Sequence, residues 1–265
     1  MIMKQTFFNS RKSLGQNFIL SNATAERVVK LAGDLEGFNV IEIGPGYGSL
    51  TKEILKRNPN SLLAVEKDSS LVKQHNQLLS KYHDKYRIIE ADALHIIEGE
   101  LVEHPVKVIA NLPYNISVAL LLKWLSNISF FTNLTLIFQK EVAERIAAKP
   151  NSKDYGYLSI ISQLLCDVKV EFDLDPQEFF PKPKVLSSVI TINPLPTQRF
   201  AVDLKVLTKL AHSVFSQRRK MLRTSLKNVV NNVETVLENA NLTGNERPEI
   251  LTIEQFCLLA SNCFF

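Results

Sequence analysis

VIEIGPGYGSL, residues 40–50, joins a continuous apolar run to a turn that carries Gly44, Gly46 and Gly48. A short apolar run bounded by such a turn reads as a buried parallel strand. Glycines at its end permit a tight turn and close approach of the backbone to a ligand at the start of the next helix. The spacing is G-x-G-x-G. The dinucleotide fingerprint would need a glycine at position 49, where Ser49 stands.

Outward from this turn the alternation repeats. LLAVE (62–66), RIIEA (87–91), VKVIA (106–110) and LTLIF (134–138) are further short apolar runs. Between the first of them, residues 49–57 and 69–82 space apolar side chains three and four apart, as helices do. This pattern predicts an α/β fold, a doubly wound parallel sheet with helices on both faces. VKVEF (168–172) and SSVITI (187–192) are two more strand candidates. Between them the prolines of FFPKPKV (179–185) force an extended connection. NPLPTQRFAVD (193–203) reads as a linker. Beyond it Leu204, Leu207, Leu210, Ala211 and Val214, then Leu222, Leu226 and Val229, recur at helical spacing, and 252–260 suits a last helix. The expected organisation is an α/β domain over 1–197 and a small, basic, all-α domain over 198–265.

Composition narrows the class. The 265 residues are 45% hydrophobic and 22% charged, with nine Gly and eleven Pro, which excludes collagen-like and low-complexity chains. Cys166, Cys257 and Cys263 are too few and too scattered for a disulfide framework or a four-ligand zinc site, so no metal is expected and a reducing cytoplasmic setting is. VALLLKWL (118–125) is too short to span a bilayer, and residues 1–13 lack the apolar core of a signal peptide. The formal net charge is +4, unevenly placed. Residues 1–25 carry Lys4, Arg11 and Lys12 without an acid. Residues 204–233 carry Lys205, Lys209, Arg218, Arg219, Lys220, Arg223 and Lys227, again without one. Two such segments suit a polyanion; a solvated helix face is the competing explanation.

Two acids follow the glycine turn in register with the strands. Glu66 ends the second run, where a carboxylate can accept hydrogen bonds from ribose hydroxyls. Asp92 lies just past the third and can take an exocyclic amine. The combination resembles the class I S-adenosylmethionine-dependent methyltransferases. That resemblance implies that Gly44 and Gly46 line the methionine part of the cofactor, Glu66 holds its ribose and Asp92 its adenine amine.

The fourth run leads into NLPY, Asn111 to Tyr114. A strand-end turn alone would account for Asn and Pro there. The tetrapeptide also suits methylation of an amine conjugated to an aromatic ring, whose lone pair is delocalised. The Asn111 side-chain oxygen and the Leu112 backbone carbonyl can accept the two amine hydrogens and aim the lone pair. Tyr114 offers a flat face to the base, and Phe179 is the candidate for the second, with core packing as its competing explanation. None of His75, His83, His95, His104 and His212 falls in a motif.

RKSLGQNFIL (11–20), EIGPGYGSL (42–50), NLPYNIS (111–117), FQKEVAERI (138–146), FFPKPKVLSSV (179–189) and FSQRRKMLRTSL (215–226) together resemble the KsgA family of small-subunit rRNA adenine N6,N6-dimethyltransferases. The resemblance runs from about residue 11 to 260. It implies dimethylation of two adjacent adenosines in the terminal hairpin loop of 16S rRNA. It also implies a role in small-subunit biogenesis, S-adenosylmethionine as donor and S-adenosylhomocysteine as product. By position it implies that Asn17 and Ile19 close over the cofactor. Phe179 becomes the second stacking aromatic, with Phe180 beside it. Arg218, Arg219, Lys220 and Arg223 face RNA phosphates. Nothing in the chain points to an obligate interface, so a monomer is expected. Two alternatives stand: an Erm-type enzyme acting on large-subunit rRNA, and a small-subunit assembly factor for which methylation is secondary. DNA adenine methylation is disfavoured, because those enzymes usually carry an acid where Asn111 stands.

Overall fold

The computed structural model describes residues 15–82, 84–227 and 229–263. Lys4, Arg11 and Lys12 lie outside the described residues. Among the described residues nine strands form two sheets: β1 (Phe18–Ile19), β2 (Asn39–Ile43), β3 (Ser61–Glu66), β4 (Tyr86–Glu90), β5 (Val106–Asn111), β6 (Phe131–Gln139), β7 (Cys166–Leu174), β8 (Phe179–Phe180) and β9 (Ser187–Pro194). The larger sheet has the order β4-β3-β2-β5-β6-β9-β7. Parallel pairing runs from β4 through β6, while β9 is antiparallel to β6, with Leu134 opposite Ile192 and Gln139 opposite Ser187. The sheet is therefore mixed, where a wholly parallel one was expected. The two-residue β8 pairs instead with β1, setting Phe18 opposite Phe180 and Ile19 opposite Phe179.

The central strands form where they do because their side chains are apolar on both faces. Every residue of β2 is buried, Glu42 included. β7, at one edge, is mostly exposed or half-buried and carries Lys169, Glu171 and Asp173, as an edge strand that avoids further pairing should. Strand order reverses at the β2/β5 boundary, because β3 and β4 lie on one side of β2 and β5 and β6 on the other. Right-handed crossovers place the connections of the two halves on opposite faces and open a crevice at the strand ends there.

The helices are α1 (Asn22–Leu31), α2 (Ser49–Lys56), α3 (Ser69–Gln74), α4 (Asn76–Lys81), α5 (Glu98–Leu101), α6 (Ser117–Leu125), α7 (Lys140–Ala147), α8 (Tyr157–Leu165), α9 (Leu204–Ser216), α10 (Leu222–Leu226), α11 (Val233–Asn239) and α12 (Ile253–Ser261). The single helix expected over 69–82 breaks in two at His75, which ends α3 and starts α4 with its ring buried. Ser21 caps α1, its hydroxyl accepting from the Thr24 N–H at 3.3 Å. The other end of α1 is closed by a buried lysine from β5. Lys107 Nζ donates to the carbonyls of Ala32 and Asp34, both at 2.7 Å, and lies 4.0 Å from the Phe38 ring centroid.

By contacts the chain divides into two units, Met1–Ala143 with Lys169–Pro194, and Glu144–Val168 with Leu195–Phe265. Residues 144–168, expected in the α/β domain, cluster with the C-terminal helices. The apolar stripe of α9 explains this: Leu207, Leu210, Ala211 and Val214 are buried, and α9 packs on both α8 and α12. Phe215 and Phe256 stack at 5.6 Å within that core. No helix among the described residues is long and apolar enough to cross a membrane.

Lys107→Met keeps the volume and removes the donor, leaving two carbonyls at the end of α1 without it. We expect a loss of about 2 kcal/mol in urea unfolding, the range for buried groups stripped of a charged partner.

Candidate active site

One crevice lies at the carboxyl ends of β2, β3, β4 and β5. Its lining includes Asn17, Ile19, Gly44, Glu66, Asp92, Asn111 and Leu112. These are seven of the sequence-predicted residues, drawn from segments as far apart as 17 and 112 and brought together by the strand order.

Of the glycine turn Gly44 lines the crevice, whereas Gly46, expected there, and Gly48 do not. Gly44, Gly46 and Gly48 have φ of +67°, +55° and +79°, left-handed values that disfavour any side chain. The Gly44 N–H donates to the Val65 carbonyl at 2.9 Å, which keeps the end of β2 in step with the end of β3. Gly46 is covered by Phe18: a Cβ there would come within 2.6 Å of the Phe18 ring.

Glu66 is buried, and its Oε1 accepts from the Asp68 N–H at 2.9 Å. Burial pushes its carboxyl up, against the opposing pull of the Asp68, Gly46 and Lys67 N–H groups. Glu42, one strand away, is pushed up to about 8 by burial, although Thr51 donates to it at 2.7 Å. Two buried carboxyls on one crevice wall offer acceptors to a donor-rich ligand. Asp92 sits lower: Lys67 reaches its Oδ2 at 2.7 Å and the Leu94 N–H its Oδ1 at 3.0 Å, and these hold its carboxyl below the usual range.

Asn111, the last residue of β5, is the most informative side chain. Its Nδ2 donates to the Asn17 carbonyl at 2.6 Å. Its Oδ1 is buried and has no hydrogen-bond partner among the described residues. An unsatisfied buried acceptor costs stability, and its place at the crevice fits an amine that completes it. Tyr114 follows, half-buried, its hydroxyl 2.6 Å from Ser187 Oγ.

Tyr114 is not among the residues that line the crevice, and other predicted residues stand elsewhere too. Phe179 is only 2% exposed and belongs to an apolar cluster with Ile19, Val28 and Leu174, so the competing explanation, core packing, describes it here. Strand alternation is the reason: Ile19 and Phe179 share the inner face of the β1–β8 ribbon, and Phe180, 40% exposed, shares the other face with Phe18. The basic segment lies in the second unit and is split. Arg218 donates to the carbonyls of Ser152 (2.9 Å) and Lys153, and Arg223 to Thr243 (2.8 Å) and the Glu234 carboxylate, so both tie their own unit together. Arg219 and Lys220 are exposed.

Sequence reasoning missed Glu42, Lys67 and Phe18. Glu42 was visible as the acid that opens EIGPGYG, and Lys67 as the cation beside Glu66. Phe18 gave no signal, since its contact with Gly46 is made across the fold. Among the described residues no group of three or more His, Cys, Asp and Glu is placed to hold a metal ion.

A family model for ribosomal RNA adenine dimethylases matches residues 7–263. A protein named ribosomal RNA small subunit methyltransferase A, from Wolbachia sp. subsp. Drosophila simulans (strain wRi), is 69% identical over 265 residues, covering 99% of this chain and 97% of its own. One of the same name from Ehrlichia ruminantium (strain Gardel) is 49% identical, covering 96% of this chain and 97% of its own. Among solved structures, a dimethyladenosine transferase from Plasmodium falciparum superposes with a TM-score of 0.79 at 24% identity, over 91% of this chain and 95% of that one. The 23S rRNA methyltransferase ErmE gives 0.69 at 22% identity, over 92% and 98%. Both share the α/β methyltransferase fold.

The raised Glu42 carboxyl sets a pH dependence. Between its unfolded value near 4.5 and about 8 the folded state binds the extra proton, so stability falls as pH rises through that window. Glu42→Gln removes this term. Its thermal stability relative to the parent should be similar at pH 5 and higher at pH 7, by on the order of 3 kcal/mol. A difference that does not change with pH would show that Glu42 is ionised in the fold.

Proposed function

Because the chain belongs to the ribosomal RNA adenine dimethylase family, we propose that it dimethylates the N6 amines of two adjacent adenosines in the 3′-terminal hairpin loop of 16S rRNA. On this reading it works within the small ribosomal subunit, takes S-adenosylmethionine as donor and releases S-adenosylhomocysteine. The observation that carries this reading is the buried, partnerless Asn111 Oδ1 at the end of β5. The small-subunit target is supported by the shared name of relatives 69% and 49% identical. The fold cannot make that choice, since an enzyme of 23S rRNA also has it.

The residues present fit the donor. Gly44 leaves room at the turn, Glu66 suits ribose hydroxyls, and Asp92 suits an adenine amine. When bound, the donor supplies a methyl group on a cationic sulfonium. On the same wall Glu66 offers carboxyl oxygens as acceptors, while Glu42 beneath it is held neutral by burial. Asn111 Oδ1 accepts one hydrogen of the target amine and the Leu112 carbonyl the other, which draws the nitrogen out of conjugation and directs its lone pair. Total charge is unchanged by transfer, so alignment in a water-poor crevice matters more than an anion-stabilising device. The protonated product amine is acidic enough to lose its proton to water.

Turning a base out of folded RNA costs about a few kcal/mol. Stacking returns roughly 1–3 kcal/mol per face, and Tyr114 supplies one. Of the basic residues, Arg219 and Lys220 are the ones to meet phosphate. Arg218 and Arg223 act first within their own unit.

The test is to incubate the protein with labelled S-adenosylmethionine and each ribosomal subunit from a strain lacking this methylation, then map the product by mass spectrometry. Dimethyladenosine at adjacent positions of small-subunit RNA is expected; label in large-subunit RNA would overturn the target. Asn111→Ala should lower turnover about a hundredfold, the scale of a misaligned reactant, while subunit binding persists. Reversing Arg219 and Lys220 to Glu should weaken subunit binding and flatten its dependence on log salt by about 1.5 in slope.

A further inference from the structure

His75 belongs to no motif and lies outside the crevice lining, yet both of its ring nitrogens are engaged. It stands between α3 and α4 and is 2% exposed. Nε2 is 2.9 Å from the Gly46 carbonyl oxygen, and Nδ1 is 2.5 Å from the Tyr86 hydroxyl. A carbonyl can only accept, so Nε2 carries the hydrogen. In the neutral ring Nδ1 is then an acceptor, and Tyr86 donates to it.

We infer that His75 is a positioning residue for the glycine turn, holding the Gly46 carbonyl while Tyr86 fixes the imidazole tautomer. Gly46 is gripped from several sides. Its N–H bears on the Glu66 carboxyl and helps to hold it down, and its carbonyl accepts from His75. The Phe18 ring lies against its Cα, and the edge of the His75 ring and Leu78 lie against Gly48, where a Cβ would come within 3.3 Å of each. A left-handed glycine has wide conformational freedom, so the hydrogen bond from His75 is what holds the peptide plane that follows it. An apolar ring at position 75 would fill the same space without directing that carbonyl.

The charged groups that face this pair are Lys52 on α2, which bears on His75, and Glu42 and Glu66, which bear on Tyr86. Burial, with Lys52, holds the imidazole below its ordinary value, and burial pushes the Tyr86 phenol up. Both effects keep the pair neutral near pH 7.

The inference rests on the turn being the S-adenosylmethionine site, and the experiment separates the two. S-adenosylhomocysteine binding is measured by calorimetry on the full chain and on His75→Phe, His75→Gln and Tyr86→Phe. Loss of one directed hydrogen bond should weaken binding by His75→Phe about fivefold to tenfold. His75→Gln, whose amide can donate to Gly46, should stay within about twofold of the parent. In turnover the same split should appear in the KM for S-adenosylmethionine, with kcat little changed. If the parent fails to bind S-adenosylhomocysteine, the reading of the site falls and the inference with it. If the parent binds and His75→Phe binds equally well, or His75→Gln is as weak as His75→Phe, the inference alone falls.

A measurement on the unaltered protein guards against variants that fail to fold. Nitrogen-15 NMR of the histidines, with the His75 signal identified by its loss in His75→Gln, should show the Nε2–H tautomer, unchanged from pH 8 to pH 6. An Nδ1–H tautomer, or an ordinary titration in that range, would overturn it.

Discussion

Three left-handed residues within five positions, immediately after a strand buried along its whole length, are the constraint on which the rest of the molecule depends. Only glycine takes that path at little cost. The path lets β2 end against β3, through the Gly44 to Val65 bond, and lets α2 start at Ser49. With β2 and β3 held in step, the ends of β3, β4 and β5 fall on one rim. Glu66, Asp92 and Asn111 share a crevice because of that alignment, although they are separated by 45 residues of chain.

What could be read from the chain was what neighbours in sequence determine. Strands buried on both faces show as apolar runs, and 40–44 and 106–110 lie within a residue of β2 and β5. The glycines, both acids and Asn111 could be placed because each follows such a run. What could not be read depends on partners far away. β9 enters the sheet between β6 and β7 in the opposite direction, and no local pattern distinguishes that from a parallel neighbour. The face Phe179 presents is settled by pairing with β1, some 160 residues earlier. Helix 69–82 looked continuous because its apolar spacing is continuous. The break at His75 answers to Gly46 and Tyr86, which lie in other elements.

Charge in the molecule is divided by burial more than by sign. Glu42 and Glu66 are inside and held toward neutrality, whereas Asp92, with Lys67 beside it, stays ionised at the mouth. The basic segment of the second unit follows the same logic. Arg218 and Arg223 satisfy carbonyls of their own unit, and Arg219 and Lys220 between them stay in water. A run of four cations in sequence thus becomes two structural ties and two outward charges. The fork of the guanidinium suits the first task, since one arginine can close on two acceptors at once.

The second unit is assembled from two stretches of chain, 144–168 and 195–265, with strand residues 169–194 of the first unit between them. During synthesis α8 therefore leaves the ribosome well before α9 and α12 exist to cover it. Leu158, Ile161, Leu164 and Leu165 on α8 stay bare for that interval, in a nascent chain whose first unit is also unfinished until β9 emerges. Neither unit can be completed before the chain has passed residue 194. Cutting the protein there would yield one finished sheet with an orphaned apolar helix, and a helical remnant without part of its core. The first unit thus has all its strands before the second has its last helices.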